Sequence, residues 1–194
     1  MTDRRARRHE ATRQEILEAA WALARKHGLT GWSLREVAST VDMRAPSLYV
    51  YFDRKEAIYD AMFAQGYEQL LARIDALPRT SDTSATEILR WTARTFFAFC
   101  VDDPARYQLL FLRVIPGFTP SSASYALAEQ TLDRLREELA HVGITDPRSV
   151  DLWTAMTTGL VSQQISNEPG GERWARLVDH AVEMYVASEL PAAD

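Results

Sequence analysis

Few side chains in this sequence have the spacing that chemistry requires. Glu138-Leu139-Ala140-His141 sets a carboxylate and an imidazole three apart, the unit from which helical bundles assemble di-iron sites in pairs. No second Glu-x-x-His follows, and His9, His27 and His180 fall in separate segments, so neither a metal nor any other cofactor is expected. The lone Cys100 sits in the apolar run Phe96-Phe97-Ala98-Phe99-Cys100-Val101 and reads as a small buried hydrophobe. Walker-type phosphate loops, Gly-x-Ser-x-Gly elbows and Cys-x-x-Cys pairs are absent. A different chemistry is on offer between Leu34 and Glu56. There Arg44, Ala45, Pro46 and Ser47 would lead a short helix into a DNA major groove, Tyr49 and Tyr51 carry hydroxyls on rigid arms, and Lys55 offers a cation beside the free N–H groups of a helix start.

Such residues act only if helices aim them. Apolar Ile16, Leu17, Ala20, Trp21, Leu23 and Ala24 recur at helical spacing from about Glu10 to His27, with Gly28 as a stop. Ser33-Leu34-Arg35-Glu36 is a capping box that opens a second helix with Val37, Ala38 and Val41 on its apolar face. Asp42 suits a left-handed turn, and Pro46 suits the first turn of a third helix that runs through Tyr51, with Leu48 and Phe52 facing inward. Asp53-Arg54-Lys55-Glu56 reads as another capping box, launching a long helix that ends before Pro78. After a polar segment from Pro78 to Thr83, helices are expected over about 87–101, 104–114, 122–141, 147–167 and 172–190, three of them opened by Ser84, Asp103-Pro104 and Asp146-Pro147. No run has a β period, so the expected fold is all-α with about nine helices.

The chain has 194 residues, of which 46% are hydrophobic and 25% charged, the composition of an ordinary soluble globular protein. Its net charge of −5 is unevenly spread. Residues 1–55 hold 11 Lys+Arg against 7 Asp+Glu, whereas the remainder holds 11 against 20. A basic head on an acidic body suits a protein whose head meets phosphate. The basic opening residues are followed by no apolar run of membrane-spanning length, so a cytoplasmic location is expected.

Two stretches resemble the tetracycline-repressor (TetR) family of transcriptional regulators. Gly31-Trp32-Ser33-Leu34-Arg35-Glu36-Val37-Ala38 is similar to the family's second-helix opening, and Pro46-Ser47-Leu48-Tyr49-Val50-Tyr51-Phe52-Asp53-Arg54-Lys55-Glu56-Ala57 to its recognition helix and the start of its fourth helix. The resemblance spans roughly residues 10–60; Asp42 departs from it, standing where the family usually has glycine. It implies that Arg35, Ser47, Tyr49, Tyr51 and Lys55 contact DNA backbone or bases, and that Arg44, Ala45 and Pro46 lie at base edges. It also implies a helix-turn-helix domain, here 1–57, followed by a helical ligand-sensing and dimerisation domain, 58–194.

In that second region Trp91, Phe97, Tyr107, Phe111, Phe118 and Tyr125 are candidates to line a pocket for an apolar effector. Ala155, Gly159 and Ser162, small and helically spaced, with Trp174, Ala181 and Tyr185 on the last helix, are candidates for a homodimer interface. The expected function is a repressor that binds a palindromic double-stranded operator as a homodimer and is released by a small-molecule effector. The alternatives are a helical-bundle enzyme and a DNA-binding protein without a ligand.

Overall fold

The computed structural model describes residues 2–78 and 83–190, so most of the expected polar segment after Pro78 lies outside the described residues. The regular elements among the described residues are all helices, without a strand: α1 (Thr2–His27), α2 (Leu34–Thr40), α3 (Ala45–Leu48), α4 (Lys55–Asp75), α5 (Ala85–Val101), α6 (Pro104–Phe111), α7 (Ser122–His141), α8 (Pro147–Asn167), a 3-10 turn (Ala175–Leu177) and α9 (Val178–Glu189). Packing divides the chain into two units, Met1–Gly66 with Ala105–Tyr125, and Tyr67–Pro104 with Ala126–Asp194. Helix α4 runs from one into the other.

In the first unit, Ile16, Ala20 and Trp21 of α1, Val37 and Ala38 of α2, Leu48 of α3, Phe52, and Ile58 and Met62 of α4 form one buried cluster. Ala105 and Leu109 of α6 join it, with Ile115 and Phe118 packed at its edge. Gly66 of α4 faces Leu110 of α6. A Cβ there would stand 2.9 Å from both methyl carbons of Leu110. Asp60 ties down the chain after α6, accepting from the Ser121 backbone N–H at 2.7 Å and the Ser121 hydroxyl at 2.9 Å.

The second unit is built on α5, which packs against both α8 and α9. Leu89, Phe99 and Cys100 are fully buried there. Trp153 of α8 and Tyr185 of α9 meet edge to face at 5.1 Å, and the Tyr185 hydroxyl donates to the Ser149 carbonyl at 2.9 Å. Burial pushes that phenol's pKa up to about 12. At the rim Arg90 pairs with Glu183 and Arg94 with Asp179, holding α5 to α9 from the solvent side.

Five helix limits differ from the sequence expectation, one of them the start of α4, which opens at Lys55 and not directly after Asp53. Helix α1 begins at Thr2, two turns before Glu10, although those turns bury no apolar stripe. Helix α3 stops at Leu48, and the Tyr51 and Phe52 N–H groups both turn back to the Leu48 carbonyl, at 2.9 and 3.0 Å. Helix α6 ends at Phe111 rather than near Val114, ahead of a Pro116-Gly117 turn in which Gly117 has φ +75°. The last helix starts at Val178 rather than near Glu172 because buried Gln164 captures the preceding backbone. Its side-chain oxygen accepts from the Trp174 and Ala175 N–H groups at 3.0 and 3.2 Å, and its amide donates to the Gly171 carbonyl at 3.0 Å and to the Glu168 carbonyl.

Candidate nucleic-acid interface

Helix α2 is started by a closed capping box. The Ser33 hydroxyl accepts from the Glu36 N–H at 3.3 Å, while the Glu36 carboxylate accepts from the Ser33 N–H at 2.8 Å and from its hydroxyl at 2.7 Å. These bonds from Ser33 lower the Glu36 carboxyl's pKa from its ordinary value. At its other end the Met43 N–H reaches the Ala38 carbonyl at 2.8 Å and the Asp42 N–H the Ser39 carbonyl at 3.3 Å, a Schellman closure with Asp42 in the left-handed region at φ 51°. The turn is thus made with aspartate at a positive φ.

That closure delivers the chain to α3. Arg44 occupies the N-cap position in extended conformation, and its side chain makes no capping bond. Pro46 fills the first turn, and Leu48, fully buried, pins the helix to the core beneath. What remains outside is Arg44, Pro46, Ser47 and Tyr49, the last 53% exposed, with Ala45 half-buried. Arg35 is exposed on α2. Among the described residues neither Arg35 nor Arg44 meets a carboxylate.

Tyr51 and Lys55 are placed less freely than the sequence suggests. The half-buried Tyr51 ring stacks on His9 of α1 at 4.7 Å, and its carbonyl accepts from Arg13 Nη1 at 2.9 Å. The same Arg13 guanidinium lies 4.2 Å over the Phe52 ring. Lys55 Nζ donates to the Trp32 carbonyl at 2.6 Å and the Thr30 carbonyl at 3.1 Å while sitting 4.2 Å above the Trp32 ring. Partial burial lowers its pKa, partly countered by Glu56 and Glu36. Two of the three ammonium N–H groups are therefore spent on the loop before α2, leaving one for a phosphate. Tyr59 braces that loop as well, donating to the Leu29 carbonyl at 2.6 Å. Sequence reasoning missed His9, Arg13 and the 73% exposed Val50; the first two act through contacts some forty residues away, and no local pattern marks them.

The remaining candidates divide between the units. Trp91, half-buried, and Phe97, buried, belong to α5 in the second unit. Tyr107, Phe111, Phe118 and Tyr125 belong to the first: Tyr107 and Phe111 are neighbours at 5.9 Å, Phe118 is spent edge-on against Tyr59 at 5.6 Å, and Tyr125 is 50% exposed. Ala155, Gly159 and Ser162 form an exposed stripe on α8, extended by Leu152, and Met184 on α9 is 61% exposed. Trp174 and Ala181 are half-buried, whereas Tyr185 turns inward to Trp153. Among the described residues no three His, Cys, Asp or Glu side chains gather as metal ligands, and no helix is long and apolar enough to cross a membrane.

A braced helix, a tight turn and a short helix with its polar face left open make a helix-turn-helix. The sequence model described as "Bacterial regulatory proteins, tetR family" matches residues 16–62, the segment that holds these elements. Over residues 16–62 the chain is thus similar to the tetR family. The HTH-type transcriptional regulator Rv1816 of Mycobacterium tuberculosis is 27% identical over 121 residues, 60% of this chain and 52% of the relative. The chain thus spans about half the length of the curated relatives it matches. The fold agrees with solved tetR-family structures. A tetR-family transcriptional regulator from Streptomyces coelicolor superposes with a TM-score of 0.73 at 21% identity, covering 92% of this chain and 80% of that one. AibR, solved with isovaleryl coenzyme A and operator DNA, gives a TM-score of 0.65 at 21% identity over 89% and 96%. The relatives regulate transcription, and none of those named here is an enzyme, so the helical-bundle enzyme finds no counterpart among them.

Proposed function

We propose that this chain is a cytoplasmic, ligand-responsive repressor that binds a palindromic operator as a homodimer. The observation that carries the reading is the open face of α2 and α3: Arg35, Arg44, Ser47 and Tyr49 exposed over a core that fixes their backbone. Arg44 and the start of α3 enter the major groove and read base edges, while Arg35, Tyr51 and Lys55 hold phosphates and set the register. In this reading residues 1–57 form the DNA-binding domain and 58–194 the sensing and dimerisation domain. The exposed stripe Leu152, Ala155, Gly159 and Ser162 on α8, with Met184 on α9, meets its copy in a partner, with Trp174 and Ala181 at its margin. Two heads then face successive major grooves, roughly 34 to 36 Å apart.

An apolar or acyl-bearing effector suits the aromatic residues of α5, Trp91 and Phe97 among them, and the isovaleryl coenzyme A bound by AibR is consistent with that chemistry. Because α4 begins at Lys55 and continues into the second unit, a ligand that tilts it moves the heads out of spacing. Linkage makes the effect reciprocal: operator DNA must weaken effector binding by the factor by which effector weakens DNA binding. The test is selection of duplexes from fragmented source DNA at low salt, followed by calorimetry of any effector with and without the selected duplex. A palindrome with half-sites about 10 base pairs apart is expected. No enrichment overturns the function, and equal effector affinities overturn the induction alone.

A further inference from the structure

The first two turns of α1 break the local rules for a helix. Arg4, Arg5, Arg7 and Arg8 crowd the end where the helix dipole is positive, and Arg4 with Arg8 or Arg5 with Arg8 stand at spacings where like charges repel. Arg4, Arg5 and Arg8 are exposed and, among the described residues, meet no carboxylate; the nearby Glu10 is already engaged with Gln14 at 2.9 Å and with Arg13 at 4.0 Å. A positive cluster kept at an unfavourable place is the mark of a polyanion contact.

Its direction is fixed by the next turn. His9 stacks on Tyr51 and Arg13 holds the Tyr51 carbonyl, so the stripe of α1 that carries residues 9 and 13 lies against the end of the recognition segment. Arg5 is one turn further along that stripe, about 6 Å beyond His9 at 1.5 Å per residue, with Arg4 and Arg8 flanking it. These residues lie outside the matched segment 16–62. We propose that Arg4, Arg5 and Arg8 form a second DNA contact, sequence-independent, on phosphates flanking the base pairs that α3 reads. It rests on the operator-binding reading. Guanidinium groups engage phosphate oxygens directly and carry no base information there, so this contact adds affinity and salt dependence without adding specificity.

The experiment compares the full chain with R4A/R5A/R8A and R4K/R5K/R8K on two probes, the duplex selected by the parent and an unrelated duplex of equal length, over a range of salt. The alanine variant should lower the slope of log affinity against log salt by roughly 2 to 3, close to 0.9 per lost contact, on both probes. The ranking of base substitutions should stay unchanged, and the lysine variant should keep the parent slope. An unchanged slope in an alanine variant with parental helix content and melting temperature overturns the inference. So does an altered base ranking, which would put these arginines at base edges, or a lysine variant that fails like the alanine one, which would make them packing residues. A parent that enriches no duplex removes the operator reading and this inference together; an enriched duplex with an unchanged slope removes this inference alone.

Discussion

The two units spend the same residue type in opposite ways. In the second, Arg73 meets Asp102 at 3.2 Å, Arg134 meets Asp75 at 2.9 Å, Arg148 meets Asp146 at 2.8 Å, and Arg90 and Arg94 pair with Glu183 and Asp179. In the first, Arg4, Arg5, Arg8, Arg35 and Arg44 are exposed and, among the described residues, unpaired with any carboxylate. Surface ion pairs are each worth no more than about 1 kcal/mol, so the body's pairs add little stability. What they do is neutralise cations on an acidic surface, while the head, where Arg13 and Arg54 meet Glu10 and Asp53, leaves those five arginines open for a partner. The difference teaches that charge in this chain is sorted by use: the imbalance between head and body is legible in the sequence, but which cations are paired is visible only once the helices are assembled.

The contrast can be broken at the core of either region. Leu48→Ala removes the fully buried anchor of α3, and a loss of about 3 to 5 kcal/mol is expected in denaturant titrations. DNA binding should vanish with it while light scattering still shows the parental oligomer; loss of both would mean that the two regions do not fail separately. Gly159→Asp attacks the other side. A Cβ at Gly159 meets nothing within 4 Å in its own chain, so the subunit should fold, while an unpaired charge in the interface costs about 3 kcal/mol and yields monomers in sedimentation. An unchanged dimer moves the interface off α8.

Lys55→Ala sharpens the comparison, because Lys55 is the head cation that the fold has already claimed. Losing two carbonyl bonds and the Trp32 contact should cost about 1 to 3 kcal/mol of stability, and a lost phosphate contact should lower the salt slope by about 0.9. A stability loss with an unchanged slope would make Lys55 purely structural. The smallest effect is expected at Asp42. Helix α7 ends in the same closure as α2, with the Ile144 N–H on the Leu139 carbonyl at 2.8 Å, but there Gly143 takes the positive φ of 90°. Giving α2 the same residue, Asp42→Gly, should raise stability by about 0.5 to 1 kcal/mol in thermal melts if the left-handed strain outweighs the added freedom of the unfolded chain; a fall would show that the aspartate is held there by something stronger.

The legible parts of this molecule are the ones written locally. The capping boxes at Ser33 and Ser84, the left-handed Asp42, the helical Pro46 and the inward Leu48 and Phe52 each depend on neighbours within a few residues, and the structure realises all of them. The pattern at Asp53 is different: α4 opens at Lys55, and the Asp53 carboxylate pairs with Arg54 at 3.1 Å. What could not be read is set at a distance. Gln164 delays α9 by holding backbone ten residues on, and Arg13 reaches thirty-eight residues to Tyr51. The membership of residues 105–125 in the first unit rests on contacts made at a distance, Phe118 against Tyr59 and Ser121 on Asp60, without any signature in either segment.

The sharpest measurement is the base preference of Arg44→Ala. Affinities of parent and variant for the selected duplex, and for a set substituted at each position of one half-site, give a preference profile for each protein. An Arg44 that reads a base edge predicts that the variant keeps every preference but one, losing about 1 to 3 kcal/mol of discrimination at a single position of each half-site. A variant whose profile matches the parent at every position, whether its overall affinity falls or not, would contradict a recognition helix that enters the groove at Arg44.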